Sequence, residues 1–590
     1  MIVPMKRILL LCVAGEAERT LEELRDLGAV HLDLASGAGA DSAEAREALE
    51  RAERALRIVR KAKKEQAADG GVKKSSAAAS GAGDVLALDA EREGLKSEAE
   101  ALKATVRRYA PFGDFDPALA KRLESAGVRL VLRDDGSFEL LYGDETAEER
   151  PGARELPMPS ERLSATRGRL AETERKMASL SERIAAADEE AIVRSVPGLR
   201  DAVAFAAAKD EMAANIFGDG SACAGGAPQI SVVRGWIPED YAASLGEAAK
   251  ANGWGVALRD PEPDETPPTL IRPPKMFRPV TALFSGLGIS PAYREADVSV
   301  PFMCYFSIFF AMLVGDGGYG AIILALALWG WRKYGTLKKP APLMKSWLTL
   351  LTVFSSATVV WGLLSNTWFG AGLPFAAEWP TVKWLGDPTY GNMMLLCFTI
   401  GVSHLMLARI WTGLCMLNDR TCLSQFGWAG VILFMYLVTN SIVGIFSGIQ
   451  PWAYWVFGVS LVLVFGFTLK GNELKSRGIE LGMLPLNIMS ALGDIISYVR
   501  LFAVGLASVK VAQNFNDMAI GLMSASDSLW LKPLLAVALV AVLLVGHGLN
   551  FAMAGLSILV HAVRLNTLEF SNHKGISWAG YAFRPFRRSV

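Results

Sequence analysis

Histidine and cysteine are scarce in this chain: its 590 residues hold five of the first and six of the second. Cys12, Cys223, Cys304, Cys397, Cys415 and Cys422 make no C-x-x-C pair and no regular spacing, which excludes a disulfide scaffold and a thiolate metal centre. They read as small apolar residues in a reducing or membrane setting. No G-x-x-x-x-G-K-[ST] is present, so the chain lacks a P-loop and is expected to hydrolyse no nucleotide itself. The glycine-rich stretch 218–228 has neither the lysine nor the strand-to-helix setting of such a loop. Formal charges cancel at 60 against 60, which leaves no basic surplus for nucleic acid. The opening segment MIVPMKRILLLCVAGEAERT has too short an apolar run, too soon charged, for a signal peptide; it predicts a βα start and a cytoplasmic first half. Neither a cofactor nor a metal is expected.

What the chain has is a division. Of the 120 charged side chains, 91 lie in residues 1–300 and 29 in 301–590. A globular core needs no such segregation; a soluble half followed by a bilayer-embedded half does. The first half predicts a cytoplasmic arm at 1–270, with α/β lobes at about 1–38, 111–158 and 195–262. Between the lobes, helices are expected at about 41–66, 84–110 and 160–193. Their apolar residues recur every seven positions (Leu95 and Leu102; Leu163, Leu170, Met177 and Ile184), which argues for an antiparallel coiled coil. A flexible linker is expected at 67–84 and a strand–turn–strand around Asp135-Gly136. A bland coiled-coil spacer remains an open reading of this half.

After a linker at 271–299, apolar segments run at about 300–331, 346–369, 391–416, 426–447, 453–469, 483–512 and 533–565. The first is too long for one span and is broken at Gly315-Asp316-Gly317-Gly318, where Asp316, Gly315 and Gly320 are expected to form a structural turn. Splitting it gives eight transmembrane helices in 300–570, the last two long and tilted, with a cytoplasmic tail at 571–590. This topology places the basic loops 332–345 (Lys338 and Lys339 among them) and 470–482 (Lys470), and the tail, on the arm's side, as short basic loops require. Trp368, Trp379, Trp384 and Trp452 then fall at the opposite interface.

Arg500 sits midway along its span, where a charge costs about 2.5–3.5 kcal/mol. Helical spacing groups it with Gly493 and Ala507, flanked by Ser497, Ala503, Val504 and Asn514, on a strip of mostly small residues. Asp494 lies on the same helix but about 120° around. No other deep carboxylate stands out, so the partner carboxylate is expected on another subunit. In the last span Gly546, Asn550, Ser557, His561 and Arg564 share a face, the polar stripe that a water-accessible half-channel needs. Arg564 near the helix end is also compatible with simple snorkelling. For His404, His547 and His561, satisfied intrahelical contacts compete with a proton relay. His31 and His573 carry no signal, and Lys510 with Asp494 reads as an access path or an interface pair.

These residues carry a resemblance. Ser497-Tyr498-Val499-Arg500-Leu501 with the following FAVGLAS, Gly546-His547 through Asn550, Val560-His561-Ala562-Val563-Arg564-Leu565 leading to Glu569-Phe570, and FFAMLVGDGGYG at 309–320 resemble the a subunit of V-type ATPases, called subunit I in prokaryotic V/A-type enzymes. The resemblance implies a membrane-sector stator of a rotary ATPase. Arg500 would face the rotating ring carboxylates, and Arg564 would organise the half-channels for H⁺ or Na⁺. Ser497, Ser508, Asn514, Asn550, Ser557, His561, Glu569 and Asp494 complete the expected translocation set. Implied partners are the ring of c/K-type proteolipid subunits, the E/G-type peripheral stalks, the lipid bilayer and, indirectly, the central-stalk and catalytic subunits. The implied location is a prokaryotic cell membrane. Ser508 and Ala554 stand where eukaryotic relatives carry a histidine and an acidic group. Two rivals stay open: a self-contained secondary transporter, which predicts inverted repeats, and a membrane-anchored scaffold.

Overall fold

A computed structural model describes residues 1–34, 39–68, 81–110, 113–133, 138–141, 153–217, 229–337, 341–468, 474–524 and 531–588. Most of the expected linker at 67–84, the Asp135-Gly136 turn, the loop 218–228 with Cys223, and Lys338, Lys339 and Lys470 lie outside these residues. The chain forms two compact units, Lys6–Arg259 with Pro585–Val590, and Met1–Met5 with Asp260–Arg584.

The first unit runs β1 (Met5–Val13), α1 (Ala17–Leu27), β2 (His31–Leu32), α2 (Ala40–Ala68), α3 (Ala82–Tyr109), α4 (Pro117–Ser125), β3 (Arg129–Arg133), β4 (Phe138–Leu141), β5 (Ala153–Leu156), α5 (Leu163–Ala185), α6 (Glu189–Ala214), β6 (Ile216–Phe217), β7 (Ile230–Pro238), α7 (Ala242–Asn252) and β8 (Gly255–Arg259). One sheet has the order β2-β7-β1-β8, with β6 added on β7; the other is β4-β3-β5. In β1 the period of two is plain: Ile8, Leu10 and Cys12 are buried while Leu9, Leu11 and Val13 face out. The buried face packs on Leu21 and Leu24 of α1 and Met212 of α6.

The long helices pack as α2 on α6 and α3 on α5. Along α5 from Leu163 to Leu180 the buried or half-buried positions are Leu163, Thr166, Leu170, Thr173, Met177 and Leu180, alternating steps of three and four, and Ile184 continues the seam. The helix expected at 160–193 ends earlier, at Ala185. Asp188 starts α6 by accepting from the Ala191 N–H at 3.0 Å, and Pro197 lies inside that helix. The carboxylate outcompetes helix continuation because it satisfies an orphan amide of the first turn.

The second unit contains α8 (Val280–Leu287), α9 (Ser299–Val314), α10 (Gly317–Gly335), α11 (Pro342–Ser365), α12 (Pro380–Leu385), α13 (Gly391–Cys415), α14 (Cys422–Ile442), α15 (Pro451–Phe467), α16 (Leu474–Ile496), α17 (Val499–Ser524), α18 (Lys532–Ser557) and α19 (Ser571–Lys574). Two π-helical segments, Ile558–Ala562 and Leu565–Phe570, link the last two. Among the described residues five helical runs are long and apolar enough to cross a membrane: Leu343–Ser365, Gly391–Cys415, Cys422–Ile442, Gly482–Ser524 and Lys532–Lys574. Ser299–Val314 and Pro451–Phe467 are shorter apolar helices. The last two runs span 43 residues each. Large apolar side chains of α18, among them Leu534, Val537, Leu544 and Val545, are mostly exposed, as a lipid-facing helix requires.

Candidate functional site

The site is built on α17 and the helix that follows it. Its scaffold begins at the break between α9 and α10. Gly315 ends α9 with φ +69°, a left-handed conformation suited to glycine, and its Cα side faces the backbone of Gly505 so closely that an added Cβ would sit 3.0 Å from the Gly505 carbonyl. Asp316, fully buried, accepts hydrogen bonds from the backbone N–H groups of Gly318 (2.7 Å), Phe369 (2.8 Å) and Gly370 (2.8 Å). One carboxylate thus caps α10 and ties down the 367–370 loop, so the expected turn is also a latch between segments. Gly320 is needed for packing, since a Cβ there would meet Thr358 at 2.9 Å.

The expected single helix through 483–512 is interrupted. α16 ends at Ile496, Ser497 and Tyr498 form a turn, and Arg500 is the second residue of α17. The Arg500 Nε donates to the freed Ser497 carbonyl at 2.9 Å, so part of the guanidinium is satisfied by the break itself. Tyr498 is fully buried and hydrogen-bonded to His404 Nδ1 at 2.9 Å, which wedges the turn in place.

No deep carboxylate stands out for Arg500 in the sequence, yet the structure gives it one within its own chain. Its Nη2 lies 2.5 Å from Glu569 Oε1, and Arg564 Nε lies 3.5 Å from the same oxygen. Glu569 is 69 positions away in sequence and comes within reach because the last helix widens into π turns at 558–562 and 565–570. Helix-face arithmetic on α17 alone cannot reveal such a pair. One buried carboxylate therefore serves two guanidinium groups, and the cluster keeps a net charge of about +1. Arg500 is 21% exposed and Glu569 5%, whereas Arg564 is 56% exposed.

The expected polar stripe is also corrected. Between Gly546 and Ala562 the buried positions of the last helix are Gly546, Asn550, Ala554, Ile558 and Ala562, four apart; Ser557 and His561 are half-buried and Arg564 turns outward. Asn514 is exposed as well.

Polar groups flank Arg500 on both sides along its helix. On the α17 side, Ser508 Oγ donates to Asn550 Oδ1 (3.2 Å), and Asn550 Nδ2 donates to the Ser508 carbonyl (2.8 Å) and to Tyr319 OH (3.0 Å). Tyr319 OH meets His547 Nδ1 at 2.8 Å, and His547 Nε2 meets Asn516 Oδ1 at 3.1 Å. A separate pocket of about 370 Å³ against α17 is lined by Met312, Gly505, Lys510 and Gln513 among others, and by none of these hydrogen-bonded residues. On the α16 side, His573 stands between Arg409, whose Nε donates to Nδ1 at 3.1 Å, and Asp494, whose Oδ2 meets Nε2 at 3.0 Å. These residues border a pocket of about 580 Å³ with Gln425, Asn487 and Ser490. The helix rise places Ser508 about 12 Å beyond Arg500.

His404 and His547 thus bond across helices, not within their own. His573, which sequence reasoning passes over, and Arg409 are functional candidates; the HLMLAR stretch at 404–409 was a weak signal for the arginine. Lys510 and Asp494 do not pair with each other: Lys510 Nζ donates to Gln513 at 3.1 Å.

A face of this helix pair is uncovered. Gly493, Ala503, Ala507 and Gly521 are exposed, and nothing lies within 4 Å of a Cβ added at Gly493, Gly521, Gly548 or Gly555. Among the described residues no group of three His, Cys, Asp or Glu side chains is placed to hold a metal ion.

No family model matches the chain. Among curated proteins it is similar to V-type ATP synthase subunit I 1 of Treponema pallidum, 29% identical over the whole of both chains. It is 34% identical to V-type ATP synthase subunit I of Borreliella burgdorferi, across 61% of this chain and 60% of that one. The A-type ATP synthase subunit I of Methanocaldococcus jannaschii is 27% identical across 60% of this chain and 54% of its own.

Proposed function

We propose, from its similarity to the V-type and A-type ATP synthase subunits I, that this chain is the stator of a rotary ATPase membrane sector, presenting Arg500 to carboxylates on a ring of proteolipid subunits. The observation that carries this reading is the charge count of the site. Two guanidinium groups share one buried carboxylate beside an uncovered strip of small residues, so the strip lacks one negative charge and has room for a helix.

A ring carboxylate, neutralised by H⁺ or Na⁺ while it crosses lipid, reaches this strip. A guanidinium at about 4 Å stabilises its ionised form by roughly 4 kcal/mol at an effective dielectric near 20. The cation leaves through one half-channel and another loads through the second. The Asp494–His573–Arg409 pocket and the Ser508–Asn550–Tyr319–His547 group, on opposite sides of Arg500, supply polar linings for the two. The fixed positive charge of a guanidinium at this point bars a direct leak between them. Each charge crossing 100 mV exchanges about 2.3 kcal/mol. That energy is geared to ATP hydrolysed or made on separate subunits.

In this reading the second unit spans the membrane of a prokaryotic cell eight times. α9, α10 and α15 complete the five longer runs, and the first unit and the C-terminal tail lie in the cytoplasm. The packed helices α2, α3, α5 and α6 form a coiled-coil strut whose lobes hold E/G-type peripheral stalks, so ring torque does not turn the stator.

Arg500→Ala in the assembled complex tests the proposal. ATP-driven ion transport in reconstituted vesicles is expected to fall at least about a hundredfold while the subunit composition stays intact, as the loss of roughly 3 kcal/mol would dictate. Transport at the wild-type rate would overturn it.

A further inference from the structure

Glu569 takes no step in the transport cycle above, yet it is the carboxylate that Arg500 touches. Its Oε1 takes both guanidinium groups, at 2.5 Å and 3.5 Å, and its Oε2 is buried without a hydrogen-bond partner. A buried carboxylate oxygen left bare is costly unless some state of the molecule fills it. Arg564, more than half exposed and at the longer distance, has free donors and room to move.

We propose that Glu569 is an exchange counter-ion: it holds Arg500 between passages of ring carboxylates and passes wholly to Arg564 when a ring carboxylate displaces it. This rests on the stator reading above. An arginine with no resident partner would be a trap, since each ring carboxylate would gain the full Coulomb attraction on arrival and lose it on departure. With Glu569 in place, arrival exchanges one carboxylate for another on Arg500. The gain is cut to the difference between two similar ion pairs. In the displaced state Arg564 pairs with Glu569 through the oxygen now bare, and two cations face two anions. In the resting state the count is two to one. The other titratable groups facing the cluster are Tyr498 from the 497–498 turn and His561 from the last helix; Asp494 of α16 and Tyr305 of α9 act on Tyr498 in turn.

The test compares Glu569→Gln and Arg564→Gln in the reconstituted complex, reading the rate of ATP-driven transport against pH, or against Na⁺ concentration if Na⁺ is the ion carried. Glu569→Gln leaves Arg500 free to grip ring carboxylates, so reloading needs about tenfold more cation and the profile shifts to the acid side by about one unit. Arg564→Gln leaves Glu569 nowhere to go, Arg500 is held back from the ring, and the profile shifts the opposite way. Glu569→Asp returns the first profile toward wild type.

A purely structural Glu569 would lower the amount of assembled complex without moving either profile. Profiles that stay put, or that move together, overturn the exchange while leaving the stator reading standing; that reading falls only if Arg500→Ala still transports. Should Glu569→Gln fail to assemble, Arg564→Gln and Glu569→Asp decide: an unmoved Arg564→Gln profile sinks the proposal.

Discussion

The two units use charge in opposite ways. In the first, most ion pairs lie between exposed side chains: Arg194–Glu190 are 74% and 84% exposed, and Lys176–Glu172 60% and 65%. Such pairs add up to about 1 kcal/mol each and can be replaced one at a time. In the second, charges are few; Glu569 and Asp316 are buried and Asp494 is half-buried, and each serves two or more named partners or sits within a cluster. There a single removal strands the groups left behind. Redundancy belongs to the first unit, and irreplaceability to the site.

That contrast can be broken or sharpened by substitution. Arg500→Ala, the largest effect, should abolish transport; an exposed arm arginine such as Arg194→Ala should leave the transport rate within twofold, and equal losses would end the contrast. Asp316→Ala orphans three backbone N–H groups, and about 3 kcal/mol or more of stability should be lost, read as reduced recovery of folded protein in detergent and a lower midpoint of thermal aggregation. Asp316→Asn, which keeps an acceptor, should lose less.

His573→Ala removes the group between Arg409 and Asp494. Transport is expected to slow by roughly tenfold, about 1.4 kcal/mol, with ions moved per ATP unchanged. A change in that ratio instead would mark His573 as part of the barrier and not of an access path.

In the arm, a Cβ at Gly39 would meet the Asp210 carboxylate at 2.0 Å, and Asp210 Oδ2 accepts from the Ser42 N–H at 2.9 Å near the start of α2. Gly39→Ala should therefore cost about 1 kcal/mol of local stability, visible as faster amide exchange in the first turn of α2. The smallest effect is a pH effect. Hydrogen bonds from Arg60 and then Lys63 hold the Glu189 carboxyl below the usual glutamate range. A depressed folded value means that this contribution is complete above the unfolded value of 4.5 and fades as pH falls through the folded one. Amide exchange at the start of α6 should be flat with pH-corrected rates above pH 4.5 and accelerate only below it. Acceleration already near neutrality would contradict the assignment.

How much of this is legible in the sequence depends on distance along the chain. The interruption before Asp316 is readable because glycines bracket one acid in an apolar run. The small-residue strip around Arg500 is readable because one helix carries most of it, even across the turn at Ser497 and Tyr498. In α5 the sevenfold repeat of Leu163, Leu170, Met177 and Ile184 is visible, but the intervening buried positions include Thr166 and Thr173, whose hydroxyls disguise half of the seam. Pairings between distant segments are not readable. Arg500 with Glu569, Arg409 with His573, and Tyr319 with His547 each join residues 69, 164 and 228 positions apart. No periodicity within one helix encodes them. The π turns are hidden for a related reason: nothing in ILVHA or LNTLEF departs from an ordinary helical composition, and packing decides the wider turn.

Those wide turns change what the last helix tolerates in its own length. A π turn holds about one residue more than an α turn, so loss of one position between Ile558 and Ala562 is absorbed when that turn closes to α geometry, and Glu569 keeps its direction. The same loss in the α-helical stretch that ends at Ser557 has no spare residue to give up; everything beyond it swings by about 100°, and Glu569 points away from Arg500.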